Sequence, residues 1–367
     1  MKAFVILCLV AVCLAQTTIV FSKNGLIPEG VDYSPKHQSF FVGSMGLGAV
    51  HKLELNGTLT QFSRQGNLVS SVGIQVDEAA DLIYVTNNET PGFPPTTPGA
   101  SVVVVDLDDG SIVDEISLTN LGPSGAAKLL NDITLPDKGN NIYVTDSFNG
   151  IIYRVDLDDG DAEEFVNSPT LLGPADLVFF SSGIGANGIE LAVDDDGDEF
   201  LLVTRTGASE AGTALYRIDL NDNSRTLQPV SLPTVEYPAF DGLYWEKNSG
   251  RLYAVAASST VILLSTSDDW ESANVVDRFP LSASTFTTVT LVYDNNGRVS
   301  NFAVSPDNFA ANGTYSIEQG DDNDRIFEDD TNGSNNSSNN SSNNDSSAAS
   351  VVSITLIAIV IAFICLF

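Results

Sequence analysis

Residues 131–156, NDITLPDKGNNIYVTDSFNGIIYRVD, contain the pattern on which the fold prediction depends. An asparagine precedes a short apolar run, and two further runs, Asn141–Asp146 and Ile151–Asp156, are rich in β-branched and aromatic residues. Asp, Asn, Gly and Pro separate the runs, which is typical of turns between antiparallel strands. Helical periodicity is nearly absent between residues 17 and 316, so short strands are predicted throughout that range.

The same block recurs along the chain. Five other segments repeat its succession of β-rich runs and polar turns, the last of them in a shorter form: residues 30–62, 73–118, 188–230, 242–281 and 288–311. Six four-stranded sheets repeated around an axis form a six-bladed β-propeller, and this all-β fold is predicted over residues 16–316. We expect the β-like run at residues 17–22 to complete the last sheet and close the ring. A β-sandwich is the alternative, but it does not explain the repeated polar position described below.

Both ends of the chain have the composition of processing signals. Residues 1–15 combine a lysine, an apolar run and a small residue, which predicts a secretory signal peptide. Residues 317–347 are rich in Asn, Ser and Asp and predict a disordered stalk. Residues 348–367 form a hydrophobic tail that no basic residue follows, which predicts a glycosylphosphatidylinositol-anchor signal, with a single-pass helix as the alternative. The expected location is the outer face of the plasma membrane, with membrane contact through this tail only.

Composition narrows the classes of function. The formal net charge of −32 opposes binding to nucleic acid. All three cysteines lie in the terminal segments predicted to be removed, and the chain has two histidines, so zinc or copper chemistry is not expected. His37 falls in a predicted turn and His51 in a predicted outer strand. Sequons predict glycosylation at several asparagines, among them Asn56, Asn88, Asn312 and Asn332.

A polar residue stands directly before the first strand in four of the six predicted blades. These residues, here called the ring, are Glu29, Asn131, Asn187 and Asp241. The corresponding position is Val72 in blade two and Thr287 or Thr288 in blade six. The residue before the innermost strand of a blade lies at one mouth of the central channel, so the four side chains should converge there. Two carboxylates and two amides suit a hard divalent cation, most simply Ca²⁺. Single Asn-Gly and Asp-Gly pairs are common turns, and the shared repeat phase is what favours a metal site.

The ring motifs and the strands that follow them resemble those of a known family. Glu29-Gly30-Val31, Asn131-Asp132-Ile133, Asn187-Gly188-Ile189 and Asp241-Gly242-Leu243, in this order, are similar to the motifs of the senescence marker protein/gluconolactonase/luciferin-regenerating-enzyme family. The resemblance covers about Pro28 to Phe302. It implies a six-bladed propeller in which Glu29, Asn187 and Asp241 bind calcium and Asn131 binds calcium or substrate. It also implies that Asp241 acts as the base or nucleophile.

Arg205 is a further candidate because it begins a connection expected to emerge on the ring side. It could bind substrate as a donor to a developing oxyanion, or it could be an ordinary solvated arginine. The resulting hypothesis is a surface-anchored, calcium-dependent hydrolase of small lactones, related esters or phosphotriesters. The alternative is a non-catalytic extracellular propeller that binds a ligand or partner and uses the metal only to hold its channel.

Overall fold

Six four-stranded antiparallel sheets account for most of the described chain. The computed structural model describes residues 17–319, with gaps at 64–65, 67, 91–93, 174–177, 180–181, 195, 207–213, 233–238, 257–258, 283–284, 294–298 and 306–313. The predicted signal peptide, nearly all of the predicted stalk, the hydrophobic tail, Asn312 and Asn332 therefore lie outside the described residues. Within the described residues, no helix is long and apolar enough to cross a membrane.

The first strand, β1 (Thr18–Ser22), belongs to the last sheet, and the chain then builds blades one and two. Blade one contains β2 (Val31–Ser34), β3 (Ser39–Val42), β4 (His51–Glu54) and β5 (Leu59–Gln61). Blade two contains β6 (Ser71–Asp77), β7 (Leu82–Asn88), β8 (Ala100–Asp106) and β9 (Ile112–Ser117). In each blade the strands pair in chain order, as expected for turns of a few residues.

Blades three and four follow the same order. Blade three contains β10 (Leu130–Ile133), β11 (Asn141–Asp146), β12 (Ile151–Asp156) and β13 (Ala162–Asn167). A 3₁₀ turn at Pro169–Leu171 and a small hairpin, β14 (Val178–Phe179) with β15 (Ser182–Gly183), lie in the connection. Blade four contains β16 (Ala186–Val193), β17 (Glu199–Arg205), β18 (Leu215–Asp219) and β19 (Gln228–Pro229).

The last two blades complete the propeller. Blade five contains β20 (Phe240–Glu246), β21 (Arg251–Ala256), β22 (Thr260–Ser265) and β23 (Asn274–Pro280). Blade six contains β24 (Thr288–Tyr293), β25 (Val299–Ser305), β26 (Thr314–Gln319) and the N-terminal β1. The predicted all-β six-bladed propeller is confirmed, and the sandwich alternative is wrong.

Strand β1 closes the ring, as predicted. It pairs antiparallel with β26, in a register that runs from Thr18 opposite Glu318 to Ser22 opposite Thr314. Blade six therefore continues to Gln319, three residues past the predicted end of the domain at 316. The polar composition of this segment suggested a stalk, but Tyr315 and Ile317 are buried, and the buried Glu318 carboxylate accepts a hydrogen bond from Ser282 N at 2.7 Å.

The apolar core is divided among the interfaces between neighbouring blades. In the described structure, six large apolar clusters each join two adjacent blades. At the junction of blades one and six, for example, the rings of Phe40 and Phe302 lie 5.4 Å apart, centroid to centroid. Because the apolar side chains pack between the sheets, the innermost strands are left to present polar side chains to the central channel.

Candidate metal centre

Three of the four ring residues lie at irregular positions of the innermost strands, and Glu29 lies two residues before β2. In blades three, four and five the strand register shifts between Leu130 and Ile133, between Ala186 and Ile189, and between Phe240 and Leu243. Each of these intervals contains the ring residue of its blade. A β-bulge bends its strand and can redirect a side chain, and Asn131, Asn187 and Asp241 each lie within such an irregularity.

Glycines after the ring residues allow neighbouring blades to approach closely. A Cβ atom on Gly30 would lie 2.1 Å from Val72 O, and one on Gly188 would lie 2.5 Å from Asp241 O. No side chain larger than hydrogen fits at such distances without movement of the backbone. The Glu-Gly, Asn-Gly and Asp-Gly pairs that resemble ordinary turns therefore have a packing role at the propeller axis.

The structure brings the predicted ligands to one place. Glu29, Asn131 and Asp241 line a small axial cavity, and Asn187 hydrogen-bonds with the Asp241 side chain. The cavity has a volume of about 10 Å³, which is the space that a single water molecule or bare ion occupies. It is too small for an organic substrate, which would have to bind outside it.

The carboxyl groups of the site lie in an environment that penalises negative charge. Burial raises the pKa of Glu29 well above its ordinary value, and the charges of Asp241 and Asp132 raise it further. Burial likewise raises the pKa of Asp241 to about 7, although the hydrogen bond from Asn187 opposes this shift. No basic group contributes to either shift. A bound cation would supply the missing positive charge.

Asn187 has one amide atom satisfied and one unsatisfied. Its Nδ2 atom donates to Thr206 Oγ1 at 2.8 Å. Its Oδ1 atom is buried and has no hydrogen-bond partner among the described residues. A buried carbonyl oxygen without a donor is costly, and coordination to a cation would satisfy it.

The ligand atoms that the ring offers are those preferred by a hard divalent cation. The ring offers only oxygen atoms, two from carboxylates and two from amides, as Ca²⁺ prefers. Among the described residues, no group of three or more His, Cys, Asp or Glu side chains is arranged to hold a metal. A site built from Glu29, Asn131, Asn187 and Asp241 would therefore depend on amide oxygens for half of its protein ligands.

Further acidic side chains below the ring were not predicted from the sequence. Asp32 and Glu190 each stand three residues after a ring residue, and both are buried. Val76 N and Thr290 Oγ1 donate to Asp32 at 2.8 and 2.7 Å, and Gln75 Nε2 donates to Glu190 at 3.2 Å. The repeat phase could have revealed these residues. The position three residues after the ring position is also polar in blade two, where it is Gln75, and in blade six, where it is Thr290.

Asp132, which directly follows the ring residue Asn131, is another buried acidic residue near the ring. It accepts hydrogen bonds from Ile133 N at 2.9 Å and Ile189 N at 3.2 Å. Burial raises its pKa to about 7. In blades one, four and five a glycine occupies the same position, so Asp132 adds a carboxyl group to the channel that its counterparts lack.

Arg205 is placed differently from the ring. It ends β17, is 8% exposed and donates from Nε to Leu172 O at 2.8 Å. It lines a groove with Phe165 and Tyr216, between blades three and four, and is not among the residues that line the axial cavity. Arg205 thus lies at the end of the second strand of blade four, as predicted, and outside the axial cavity; its contact with substrate stays a prediction.

Three further residues can be placed. Asn56 is exposed in the turn between β4 and β5, as a glycosylation site requires. Asn88 is fully buried, with Nδ2 donating to Leu130 O at 3.1 Å and Oδ1 accepting from Leu130 N at 2.8 Å. A glycan on this nitrogen is incompatible with the fold, so the prediction for Asn88 is corrected. His51 lies in the third strand of blade one and not at the ring.

Comparisons with known proteins agree with the fold. No family profile and no curated protein sequence matches the chain. Among solved structures, the major allergen Mala s 1 of Malassezia sympodialis is similar with a TM-score of 0.66 and 18% identity, covering 86% of this chain and 99% of the allergen. A gluconolactonase from Xanthomonas campestris gives 0.54 and 13%, covering 83% and 90%. Luciferin-regenerating enzyme gives 0.54 and 14%, covering 83% and 95%. The chain thus shares the six-bladed propeller fold of gluconolactonases and luciferin-regenerating enzyme, in agreement with the resemblance of its ring motifs.

Proposed function

We propose that the protein is a calcium-dependent hydrolase of lactones, related esters or phosphotriesters, with its metal held by the ring. The observation that carries this proposal is the buried pair Glu29 and Asp241 beside the unsatisfied Oδ1 atom of Asn187. The site contains two buried carboxyl groups and a buried amide oxygen. A divalent cation would balance the charge of the carboxylates and would satisfy the unpaired oxygen.

The residues of the site divide the chemistry between them. A bound Ca²⁺ would polarise a carbonyl or phosphoryl oxygen and offset developing negative charge. The carboxylates of Glu29 and Asp241 would together balance the two positive charges of the ion. Asn187 bonds to Asp241 and so orients the carboxyl group that would accept a proton from water or attack the substrate. Asn131, at the rim of the same cavity, would bind the metal or the substrate.

The solved structures support this proposal through their fold. Two of them are a gluconolactonase and a luciferin-regenerating enzyme, and at 13–14% identity the likeness extends to the fold alone. The reaction class proposed for this chain therefore depends on its own ring residues. We further propose that the protein acts outside the cell, anchored by its C-terminal tail through a glycolipid or a single membrane-spanning helix.

A second candidate function has one observation in its favour. The axial cavity, at about 10 Å³, accommodates an ion but no substrate. The alternative is a propeller that uses the metal to hold its channel and binds a partner or ligand elsewhere. Such a protein would need an axial cavity no larger than this one.

A substrate panel separates the two functions. Lactones, aryl esters and phosphotriesters would be incubated with the full-length protein in calcium and in chelator, beside an Asp241→Asn variant. A hydrolase should show turnover that chelator removes and that the variant lacks. Calcium binding without turnover of any compound would favour the binding module, and the absence of both would reject the metal site.

A further inference from the structure

Three buried threonines connect backbone groups of the four ring residues and of the residues that follow them. Thr145 and Thr204 are the next-to-last residues of β11 and β17, and Thr287 directly precedes β24. Thr145 and Thr204 are fully buried, and Thr287 is 5% exposed. A threonine hydroxyl buried at this position needs hydrogen-bond partners, and the bonds described below supply them.

The first connection joins blades three and four. Thr145 Oγ1 accepts a hydrogen bond from Asp132 N at 3.1 Å, and this nitrogen belongs to the peptide bond that follows Asn131. The same hydroxyl donates to Asn187 O at 2.7 Å. One hydroxyl therefore fixes the distance between the peptides of two predicted ligands.

The second and third connections continue around the axis. Thr204 Oγ1 lies 3.2 Å from Gly188 O and 3.0 Å from Asp241 O, and can share its hydrogen between them. Thr287 uses both its backbone and its side chain. Its carbonyl oxygen accepts from Gly242 N at 2.7 Å, in the peptide that follows Asp241, and its hydroxyl donates to Glu29 O at 2.8 Å.

We infer that these three residues, the threonine belt, are positioning residues that set the spacing of the metal ligands. The connections run from Asn131 to Asn187, from the adjacent Gly188 to Asp241, and from Gly242 to Glu29. Metal ligands are held in place by the groups that bond to them from behind, and loss of such a group loosens the site without removing a ligand. The inference rests on the proposed metal site and extends it to residues that do not touch the metal.

Blade two provides a matched control within the same chain. Thr86 occupies the same strand position as Thr145, is also fully buried, and accepts from Gly73 N at 2.8 Å. The ring position of its blade, however, is Val72, which cannot bind a metal. Removing the Thr86 hydroxyl should therefore reproduce the structural cost of losing a buried hydroxyl without disturbing a ligand.

The test compares isosteric and hydroxyl-retaining variants of the full-length protein. Calcium affinity would be measured by titration calorimetry for Thr145→Val, Thr204→Val and Thr86→Val, and for Thr145→Ser and Thr204→Ser. Melting temperatures in chelator would report the structural cost separately. We expect the valine variants at positions 145 and 204 to bind calcium about 10-fold or more weakly, the range found when groups behind metal ligands are removed. The serine variants should recover most of the affinity, and Thr86→Val should bind like wild type.

Two results would overturn the inference, and they differ in what else they reject. If wild type binds calcium and the belt variants bind it equally well, or no worse than Thr86→Val, the belt does not position the ligands, although the proposed function stands. If wild type binds no calcium, the metal site and the belt both fail. Should one valine variant not fold, the other valine variant and the two serine variants still decide the question.

Discussion

At the scale of single residues, the roles proposed for the two ring carboxylates can be separated by substitution. Asp241→Asn keeps an oxygen ligand but cannot accept a proton or attack as a carboxylate, so we expect it to abolish turnover more completely than it weakens calcium binding. The check is turnover as a function of calcium concentration on whichever compound the panel identifies. If the Asp241→Asn variant keeps wild-type turnover in saturating calcium, Asp241 is neither the base nor the nucleophile.

Glu29→Gln should show the complementary behaviour. It removes one of the two ring charges without removing an oxygen atom, so calcium affinity should fall while turnover recovers in part at high calcium. The same titration of turnover against calcium measures both effects. A variant whose turnover stays low at every calcium concentration would instead indicate that Glu29 takes part in the reaction.

The buried Asp32 predicts a pH dependence of stability. Burial raises its pKa to about 6 in the folded protein, above the ordinary value of 3.8. Between these values the folded state holds the proton more often than the unfolded state, so stability falls as pH rises through this window. In chelator, melting temperatures should therefore decrease from about pH 4 to about pH 6. Asp32→Asn should flatten that decrease, and an unchanged slope would assign it to other groups.

At the scale of single elements, β1 should contribute strongly to stability although it forms an outer strand. Phe21 is 3% exposed and packs against Tyr315, with ring centroids 5.9 Å apart. We expect Phe21→Ala to lower the free energy of unfolding by about 3–5 kcal/mol, the usual cost of removing a buried aromatic ring. Denaturant unfolding measures the loss. Val20→Ala, in the same strand but at a residue 56% exposed, is the control and should change stability by less than about 0.5 kcal/mol.

The elements also show where sequence reasoning succeeds and where it stops. The strands and the ring positions could be predicted, because local periodicity and repeat phase can both be read from the amino-acid sequence. The burial of Glu318 and Asn88 could not be predicted in this way, because each depends on a partner far along the chain, Ser282 and Leu130 respectively. Arg205 shows a related limit: it ends β17 as predicted, but its contact with the Leu172 carbonyl could not be predicted. The order of strands in a blade shows the end at which a residue lies, but not what its long side chain contacts.

At the scale of the whole molecule, bound calcium should stabilise the propeller because its ligands come from four blades. At a free concentration of about 100 times the dissociation constant, binding adds roughly 2.7 kcal/mol to the free energy of unfolding. For a domain of this size the melting temperature should rise by at least about 2 °C. Scanning calorimetry in calcium and in chelator provides the check, with magnesium as the control ion. Superimposable curves would contradict the site.

Closure of the ring by β1 has a consequence for synthesis of the protein. Thr18 pairs with Glu318, so β1, the first of the described strands, meets its partner only after nearly every other described residue has been made. Until then β1 is unpaired, and another chain could add a strand in its place or pair with it. Folding of the nascent chain should therefore end with a single long-range docking event. Before that event, the protein should depend on chaperones more than its final stability would suggest.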